Sequence, residues 1–283
     1  MAPERTLGVS DAEETPRAHE WFTGDFRSWE EARAASTGYD DPAILQRVIA
    51  ATRKVVSGEA AYERDSVSFD HVEYSVPLLA CLLYAASRLG NRLNLVDIGG
   101  SLGSTYRQNR RFLSHLSELR WSIVEQPHFV AAGKAEFETE ELRFYETIAT
   151  CATASSPRVA LLSSVLPYIE KPYELLAAVF EGALELVIVE RTPFFLERKS
   201  ERVTVEHVPP EIYPASYPAW FFDLETFRSF VERSPFAVVA EFDSWESWET
   251  NGEQAQSKCF LLERHGAPAE CPRNEGRSRH TIE

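Results

Sequence analysis

The sequence lacks the features that would place the protein on nucleic acid or in a membrane. Lys and Arg number only 29 against 44 Asp and Glu, a formal net charge of −15, whereas binding to phosphates requires a basic surface. No apolar run reaches the roughly 18 residues of a membrane span, and the N-terminus lacks the basic and then apolar order of a signal peptide. The composition therefore predicts a cytoplasmic protein that binds neither nucleic acid nor membranes.

Cysteine is scarce as well. The four cysteines, Cys81, Cys151, Cys259 and Cys271, show neither the spacing of zinc ligands nor that of a disulfide framework. The seven histidines form no His-Glu-x-x-His site. We therefore predict no metal, and we interpret Cys81 and Cys259 as ordinary buried thiols in apolar segments.

From about residue 91 onward the chain alternates between apolar strands and amphipathic helices. This order predicts a parallel sheet with helices on both faces. The seven predicted strands are 93–98, 119–125, 142–146, 159–162, 184–190, 237–242 and 258–263. The last two strands are predicted to be joined as a hairpin by an acidic loop at 243–256, and helices are predicted near 28–36, 41–58 and 74–89.

The predicted fold class is thus α/β, a Rossmann-like doubly wound seven-stranded sheet with an N-terminal helical extension. The predicted parts are a flexible tail at 1–20, a helical region at 21–90, an α/β domain at 91–265 with an insertion at 196–222, and a disordered tail at 266–283. Within the insertion, residues 203–222 are rich in proline and aromatics. We interpret them as a lid, with a rigid excursion packed on the sheet as the alternative.

The most informative motif is the glycine-rich turn after the first predicted strand. The dinucleotide template, Gly-x-Gly-x-x-Gly, matches at one of three positions, because 101 and 104 are serines. The S-adenosylmethionine template, acidic-x-Gly-x-Gly-x-Gly, matches at three of four, with Asp97, Gly99 and Gly103 in place and Ser101 for the middle glycine. S-adenosylmethionine carries a sulfonium and an ammonium group, so an acid such as Asp97 suits it. An ordinary tight turn is the alternative.

A second acid, Glu125, ends the next predicted strand, twenty-two residues after Gly103. Ligands of open parallel sheets lie outside the carboxyl ends of the strands, and an acid at this spacing accepts hydrogen bonds from ribose hydroxyls. The alternative is a solvated acid at a strand end.

These and several further motifs carry a resemblance to a known family. The motifs are Trp29 to Ala32, Gly38 to Asp40, Tyr62 to Ser66, Val96 to Gly100, Arg120 to Glu125, Leu162 to Tyr168 and Arg191 to Pro193. With them the chain resembles class I S-adenosylmethionine-dependent methyltransferases, and more narrowly a bacterial family found beside polysaccharide and natural-product genes. The resemblance implies S-adenosyl-L-methionine as cofactor. It also implies a small-molecule or sugar-containing biosynthetic intermediate as acceptor, with O-methylation favoured.

The predicted site residues fall into three groups. Those for the cofactor are Arg64, Asp97, Gly99, Gly100, Ser101, Gly103, Tyr106, Glu125, Gln126, Ser163, Ser164 and Tyr168. Arg64 would pair with the cofactor carboxylate, a surface ion pair being the alternative, and Tyr106 is alternatively a packing residue. The candidate general bases are His207, Glu190, Tyr213 and Tyr217, with His207 favoured because histidine titrates near neutrality. The candidate acceptor-binding residues are Arg191, Phe194, Phe195 and Trp220.

Two other functions stay open from the sequence. The chain could be a protein of the same fold that binds a partner or performs other chemistry with the cofactor, or an NAD-dependent oxidoreductase. The oligomeric state is also open, with a homodimer as one alternative.

Overall fold

Residues 21–38 and 42–266 are described by a computed structural model, and their strands and helices alternate along the chain. The helices are α1 Trp29–Ala34, α2 Pro42–Ser57, α3 Val76–Arg88, α4 Ser104–Leu113, α5 Pro127–Glu136, α6 Ile148–Ser155, α7 Pro172–Glu181 and α8 Leu224–Glu232. The strands are β1 Phe22–Phe26, β2 Tyr62–Arg64, β3 Val67–Phe69, β4 Arg92–Ile98, β5 Glu118–Val124, β6 Leu142–Tyr145, β7 Val159–Ser163, β8 Leu186–Phe195, β9 Arg202–His207, β10 Ser216–Phe221, β11 Phe236–Thr250 and β12 Glu253–Arg264.

The central sheet has seven strands in the order β11-β12-β8-β7-β4-β5-β6. Strands β4 to β8 are parallel, and β12 runs antiparallel between β8 and β11. One buried apolar cluster joins α2, α3, α4 and α5 to the sheet, and a second joins α6, α7 and α8 to it. The predicted doubly wound seven-stranded sheet is therefore confirmed.

The predicted hairpin connection between the last two strands is confirmed, but the predicted loop at 243–256 is wrong in extent, because β11 and β12 continue through it to a two-residue turn. Thr250 pairs with Glu253 across a two-residue turn, in which Asn251 and Gly252 have φ of 49° and 75°. Asn-Gly between two strands is a strong signal for this turn. The acidic composition of the segment obscured that signal.

A second, three-stranded sheet has the order β1-β9-β10, and the sequence did not predict its strands. It joins the N-terminal region to the insertion, since Thr23 of β1 pairs with Val205 of β9. One face packs Phe22 against Phe221 and Phe195, while the other packs Val205 against α1. The N-terminal region is thus not purely helical, because it also contains the β2-β3 hairpin.

Some predictions fall on residues that the structure does not describe. These are the tail at 1–20, all but the first residue of the tail at 266–283, and Tyr39 and Asp40 of one motif. In the residues that are described, no helix combines the length and the apolar composition needed to cross a membrane.

Helix α3 links the core to the carboxyl edge of the central sheet. The Ser75 hydroxyl caps the helix by accepting from the Leu78 N–H at 3.4 Å, an arrangement that satisfies one of the free amides of a first turn. The same hydroxyl donates to Glu190 Oε1 at 2.9 Å. The start of α3 is thereby fixed to the end of β8.

Candidate functional site

The glycine-rich turn lies at the carboxyl end of β4, as predicted, and is packed around Asp97. This carboxyl is 1% exposed, and its Oδ2 accepts a hydrogen bond from Trp121 Nε1 at 2.9 Å. A Cβ atom on Gly100 would lie 2.6 Å from Asp97 Cγ. A side chain at 100 therefore requires the turn or the Asp97 carboxyl to move, and the turn packs directly on that carboxyl.

The turn also requires left-handed backbone at three places. Gly99, Ser101 and Gly103 have φ of 72°, 52° and 95°. Serine takes this conformation at a cost of roughly 1 kcal/mol, so Ser101 can replace the middle glycine of the template. Helix α4 then begins directly after Gly103, with no side chain capping its first turn.

Glu125 connects the end of β5 to this turn. Its Oε2 accepts from the Gln126 N–H at 2.6 Å, and the Ser101 N–H lies near the same carboxylate. Burial raises the pKa of Glu125, although the two backbone amides oppose the shift. The two acids that the sequence singled out therefore flank one turn, as predicted.

The ends of β7 and β8 complete this side of the edge. The Ser163 hydroxyl donates to Glu190 Oε2, and the Ser164 N–H donates to the Glu190 carbonyl oxygen at 2.9 Å. Since Ser75 occupies Oε1 of the same carboxylate, both oxygens of Glu190 have donors. Burial raises the Glu190 pKa, and the side chain joins α3, β7 and β8.

Three acids, Asp97, Glu125 and Glu190, lie at this edge, and burial raises the pKa of each. Burial raises the pKa of Asp97 to about 7, and the nearby charges of Glu125 and Glu190 add to the rise. Such an edge favours a ligand that carries positive charge.

A buried ion pair between Arg191, at the carboxyl end of the parallel part of β8, and Glu246 of β11 lies beside these acids. Arg191 Nε donates to both oxygens of Glu246 at 3.1 Å. Burial lowers the Arg191 pKa, but the charges of Glu246, Asp65 and Glu190 outweigh it, so the pKa is raised overall. Arg191 was predicted to bind the acceptor, and it does lie at the carboxyl edge. Its guanidinium, however, is already paired.

Arg64 lies beside this ion pair, whereas the sequence placed it at the cofactor carboxylate. Its guanidinium is stacked on the Trp245 ring at 4.8 Å and lies 3.8 Å from Glu246 Oε1. It also pairs with Asp65 at 3.9 Å. The turn of the β2-β3 hairpin directs Arg64 toward β11, a contact that no local sequence pattern reveals.

A carboxylate and three tyrosines face each other beside this pair. Tyr168 donates to Glu206 Oε2 at 2.7 Å, and the hydroxyls of Tyr213 and Tyr217 are 3.5 Å apart. Burial raises the pKa of Glu206 to about 7, opposed by the Tyr168 bond and assisted by the charge of Asp65. Sequence reasoning missed Glu206. A carboxyl that titrates near neutrality can accept a proton from a hydroxyl.

His207, the favoured base, lies on the opposite face of the same strand. Successive side chains of a strand point to opposite faces, and β9 contains both Glu206 and His207. His207 Nε2 is 2.8 Å from Thr23 Oγ1. The structure therefore corrects the prediction of His207 as base, and the alternation would have revealed Glu206 had β9 been predicted.

The predicted aromatic wall is corrected in the same way. Phe194 and Phe195 are 0% and 4% exposed and belong to the core. Trp220 is stacked on Trp29 of α1 at 6.3 Å. Of the predicted aromatic residues, Tyr168, Tyr213 and Tyr217 lie beside Glu206, and Tyr168, which was predicted to bind the cofactor, donates its hydroxyl to that carboxyl.

Tyr106 also departs from its predicted place near the cofactor carboxylate. The hydroxyl donates to Glu141 Oε2 at 2.8 Å, and the ring packs against Trp121. Glu141 precedes β6, at the amino end of that strand. Tyr106 is thus the packing residue that the sequence left as the alternative.

Backbone strain also concentrates at the carboxyl edge. Of the eight non-glycine residues with positive φ in the described part of the chain, five lie here: Asp65, Ser66, Ser101, Ser164 and Arg191. Such residues cost about 1 to 3 kcal/mol each and cluster at functional sites. The strain therefore locates the candidate site independently of the acids.

We expect the buried acids to make the ligand-free protein less stable as pH rises. Burial raises the pKa of Asp97, Glu63 and Glu206 to about 7, against about 4 in the unfolded chain. The folded state then binds more protons between these values, so stability falls from about pH 4 to 7 and levels off above. Urea unfolding should give a free energy at least ~2 kcal/mol lower at about pH 8 than at about pH 5. Asp97→Asn should lessen this decline, and stability that rises over the range would contradict the assignment.

Comparison with known proteins gives distant structural likenesses alone. No family model and no curated protein matches the chain. Similar solved structures include the N-terminal domain of EvdMO1 in the presence of S-adenosylhomocysteine and D-fucose, at 15% identity over 80% of this chain and 97% of that one, with a TM-score of 0.45. Magnesium protoporphyrin IX methyltransferase from Synechocystis PCC 6803 with bound S-adenosylmethionine is 12% identical over 80% of this chain and 86% of that one, with a TM-score of 0.43. The third is 1,6-didemethyltoxoflavin-N1-methyltransferase from Burkholderia thailandensis. It is 13% identical over 81% of this chain and 94% of that one, with a TM-score of 0.41.

The likeness is one of fold. The central sheet, with β12 antiparallel between β8 and β11, is a Rossmann-like doubly wound sheet.

Proposed function

We propose that the protein is an S-adenosylmethionine-dependent methyltransferase that acts on a small-molecule or sugar-containing biosynthetic intermediate. The observation that carries the proposal is the interlocked arrangement of the glycine-rich turn with Asp97 and Glu125. The turn packs closely on Asp97, since a Cβ at 100 would meet that carboxyl at 2.6 Å. Glu125, bonded to the Gln126 amide and near that of Ser101, stands beside it where a ribose would lie.

The residues present fit this cofactor. Glu125 would accept from the ribose hydroxyls, the backbone of residues 99–103 would approach the rest of the ligand, and Ser163 and Ser164 would line its methionine end. The negative charge of Asp97, Glu125 and Glu190 suits a sulfonium cation. When bound, the cofactor supplies an electrophilic methyl group.

The same edge disfavours a dinucleotide. A pyrophosphate would lie at the N-terminus of the helix that follows the turn. At that place the Ser104 hydroxyl, in the first turn of α4, donates to the Glu63 carboxyl. An ionised Glu63 would repel the phosphates, which bring no neighbouring ammonium group to offset the repulsion, so the oxidoreductase alternative has less support than methyl transfer.

On the acceptor side we propose that Glu206, rather than His207, takes the proton of an acceptor hydroxyl. Glu206 is 7% exposed and bonded to Tyr168, and Tyr213 and Tyr217 add hydroxyls that can hold a polar acceptor. This arrangement favours O-methylation of a hydroxylated molecule. The segment 203–222, here largely β9 and β10, would form the wall of that site.

Calorimetry with S-adenosylhomocysteine tests the cofactor. We expect Glu125→Ala to weaken binding by about 10- to 100-fold, because hydrogen bonds to a charged group are worth about 1.5–3 kcal/mol. The matched control is Glu118→Ala at the other end of β5, where Glu118 forms an ion pair with Arg120. This control should bind like the unmodified protein.

Two outcomes would count against the proposal. A folded protein that does not bind at millimolar ligand would leave the same fold acting as a binding partner as the better explanation. Equal losses in Glu125→Ala and Glu118→Ala would show that the ligand does not lie at the carboxyl edge.

A further inference from the structure

The β2-β3 hairpin carries a buried acid with an unsatisfied oxygen. Glu63 is 2% exposed, and its Oε1 accepts from Ser104. The Ser66 N–H lies near the same carboxyl, but Oε2 has no hydrogen-bond partner in the described residues. A buried carboxylate oxygen without a donor is costly, so its persistence indicates a missing partner.

The position of this oxygen identifies the chemistry of that partner. Ser104 is the first residue of α4 and follows Gly103 directly, so the Glu63 carboxyl lies where the helix opens onto the glycine-rich turn. The first amides of a helix have no intrahelical acceptor, and here no side chain caps them. One place therefore offers donors for a carboxylate beside an acceptor for a cation.

We infer that Glu63 binds the ammonium group of the amino-acid end of the cofactor, whose carboxylate lies at the N-terminus of α4. The inference rests on the proposed cofactor and assigns to the hairpin a part of its site. It also replaces Arg64, which is directed toward Trp245 and Glu246, as the hairpin's contact with that end.

The charges around Glu63 agree with this role. Burial raises its pKa to about 7, the Ser104 bond and the charge of Arg107 lower it, and the charge of Asp65 raises it. An arriving ammonium would favour the ionised carboxylate.

The experiment compares two ligands on two proteins by calorimetry. The ligands are S-adenosylhomocysteine and its deamino analogue, in which hydrogen replaces the amino group and the carboxylate stays. We expect Glu63→Gln to weaken the binding of S-adenosylhomocysteine about 10- to 100-fold. The affinity for the analogue should change by no more than about twofold. Glu59→Gln, an exposed acid just before the hairpin, is the matched control and should change neither.

The unmodified protein provides a test that does not depend on whether the variant folds. It should prefer S-adenosylhomocysteine to the analogue by about the same factor. Equal losses of both ligands in Glu63→Gln, or no loss of either, would overturn the inference while leaving the cofactor in place. Failure of both ligands to bind the unmodified protein would instead refute the proposed function.

Discussion

Arg191→Ala should destabilise the protein by about 3–5 kcal/mol, because it removes the hydrogen bonds to the buried Glu246 carboxylate and leaves only the longer contact with Arg64 at 3.8 Å. Glu246 is 7% exposed, and the pair is held by bonds of 2.9 and 3.1 Å. Urea unfolding at neutral pH measures the effect as a lower midpoint with an unchanged slope.

Two variants show whether the lost partner is the cause. Replacing both members, as Arg191→Met with Glu246→Leu, should recover most of the stability, since no unpaired charge remains. Arg53→Ala removes an arginine that binds Glu136 on the surface and should leave the midpoint unchanged. If the double variant is no more stable than Arg191→Ala alone, shape rather than charge is what Arg191 contributes.

Gly100→Ala should lower the affinity for S-adenosylhomocysteine roughly 100-fold. The φ of Gly100 is not positive, so alanine is permitted by the backbone and the effect comes from contact alone. The new Cβ would meet Asp97 Cγ and Oδ2 at 2.6 Å. Because Trp121 holds that carboxyl, the turn must move instead, away from the position in which its amides meet Glu125.

The neighbouring residue gives the control. Ser101→Gly relieves left-handed backbone at φ 52° and should keep the affinity within about twofold. Calorimetry on both variants, with the fold checked by circular dichroism, decides the matter. Unchanged binding in Gly100→Ala would mean that the Asp97 side chain moves to make room for the new Cβ. The conformation of the turn would then not depend on the position of Asp97.

The sequence predicted where Asp97 and Glu125 lie because their signals are local. An apolar run that ends in Asp97 before glycines, and a second run that ends in Glu125, each lie within about ten residues. The position of Glu206 depends on distant pairing. Strand β9 is central in the small sheet, but its partner β1 lies far back in the chain, so no local pattern revealed Glu206.

Proline contributed to the same error. The sequence around β10 contains Pro214 and Pro218, which favour turns and loops. Strand β10 lies at the edge of its sheet, where proline is tolerated because one row of amides needs no partner. A proline-rich segment was therefore interpreted as a lid, although its register with β9 runs without interruption from Ser216 to Phe221.

The pairing of β1 with β9 also sets an order of events during translation. Thr23 and His207 are 184 positions apart, so at 5–20 residues per second a ribosome needs roughly 10 to 40 s to supply the partner of β1. All strands from β4 to β8 have emerged by then, and the carboxyl edge of the parallel strands can form first. Until β9 arrives, β1 presents unpaired backbone and Phe22 to solvent or to a chaperone. The earliest described strand is thus among the last to find its place.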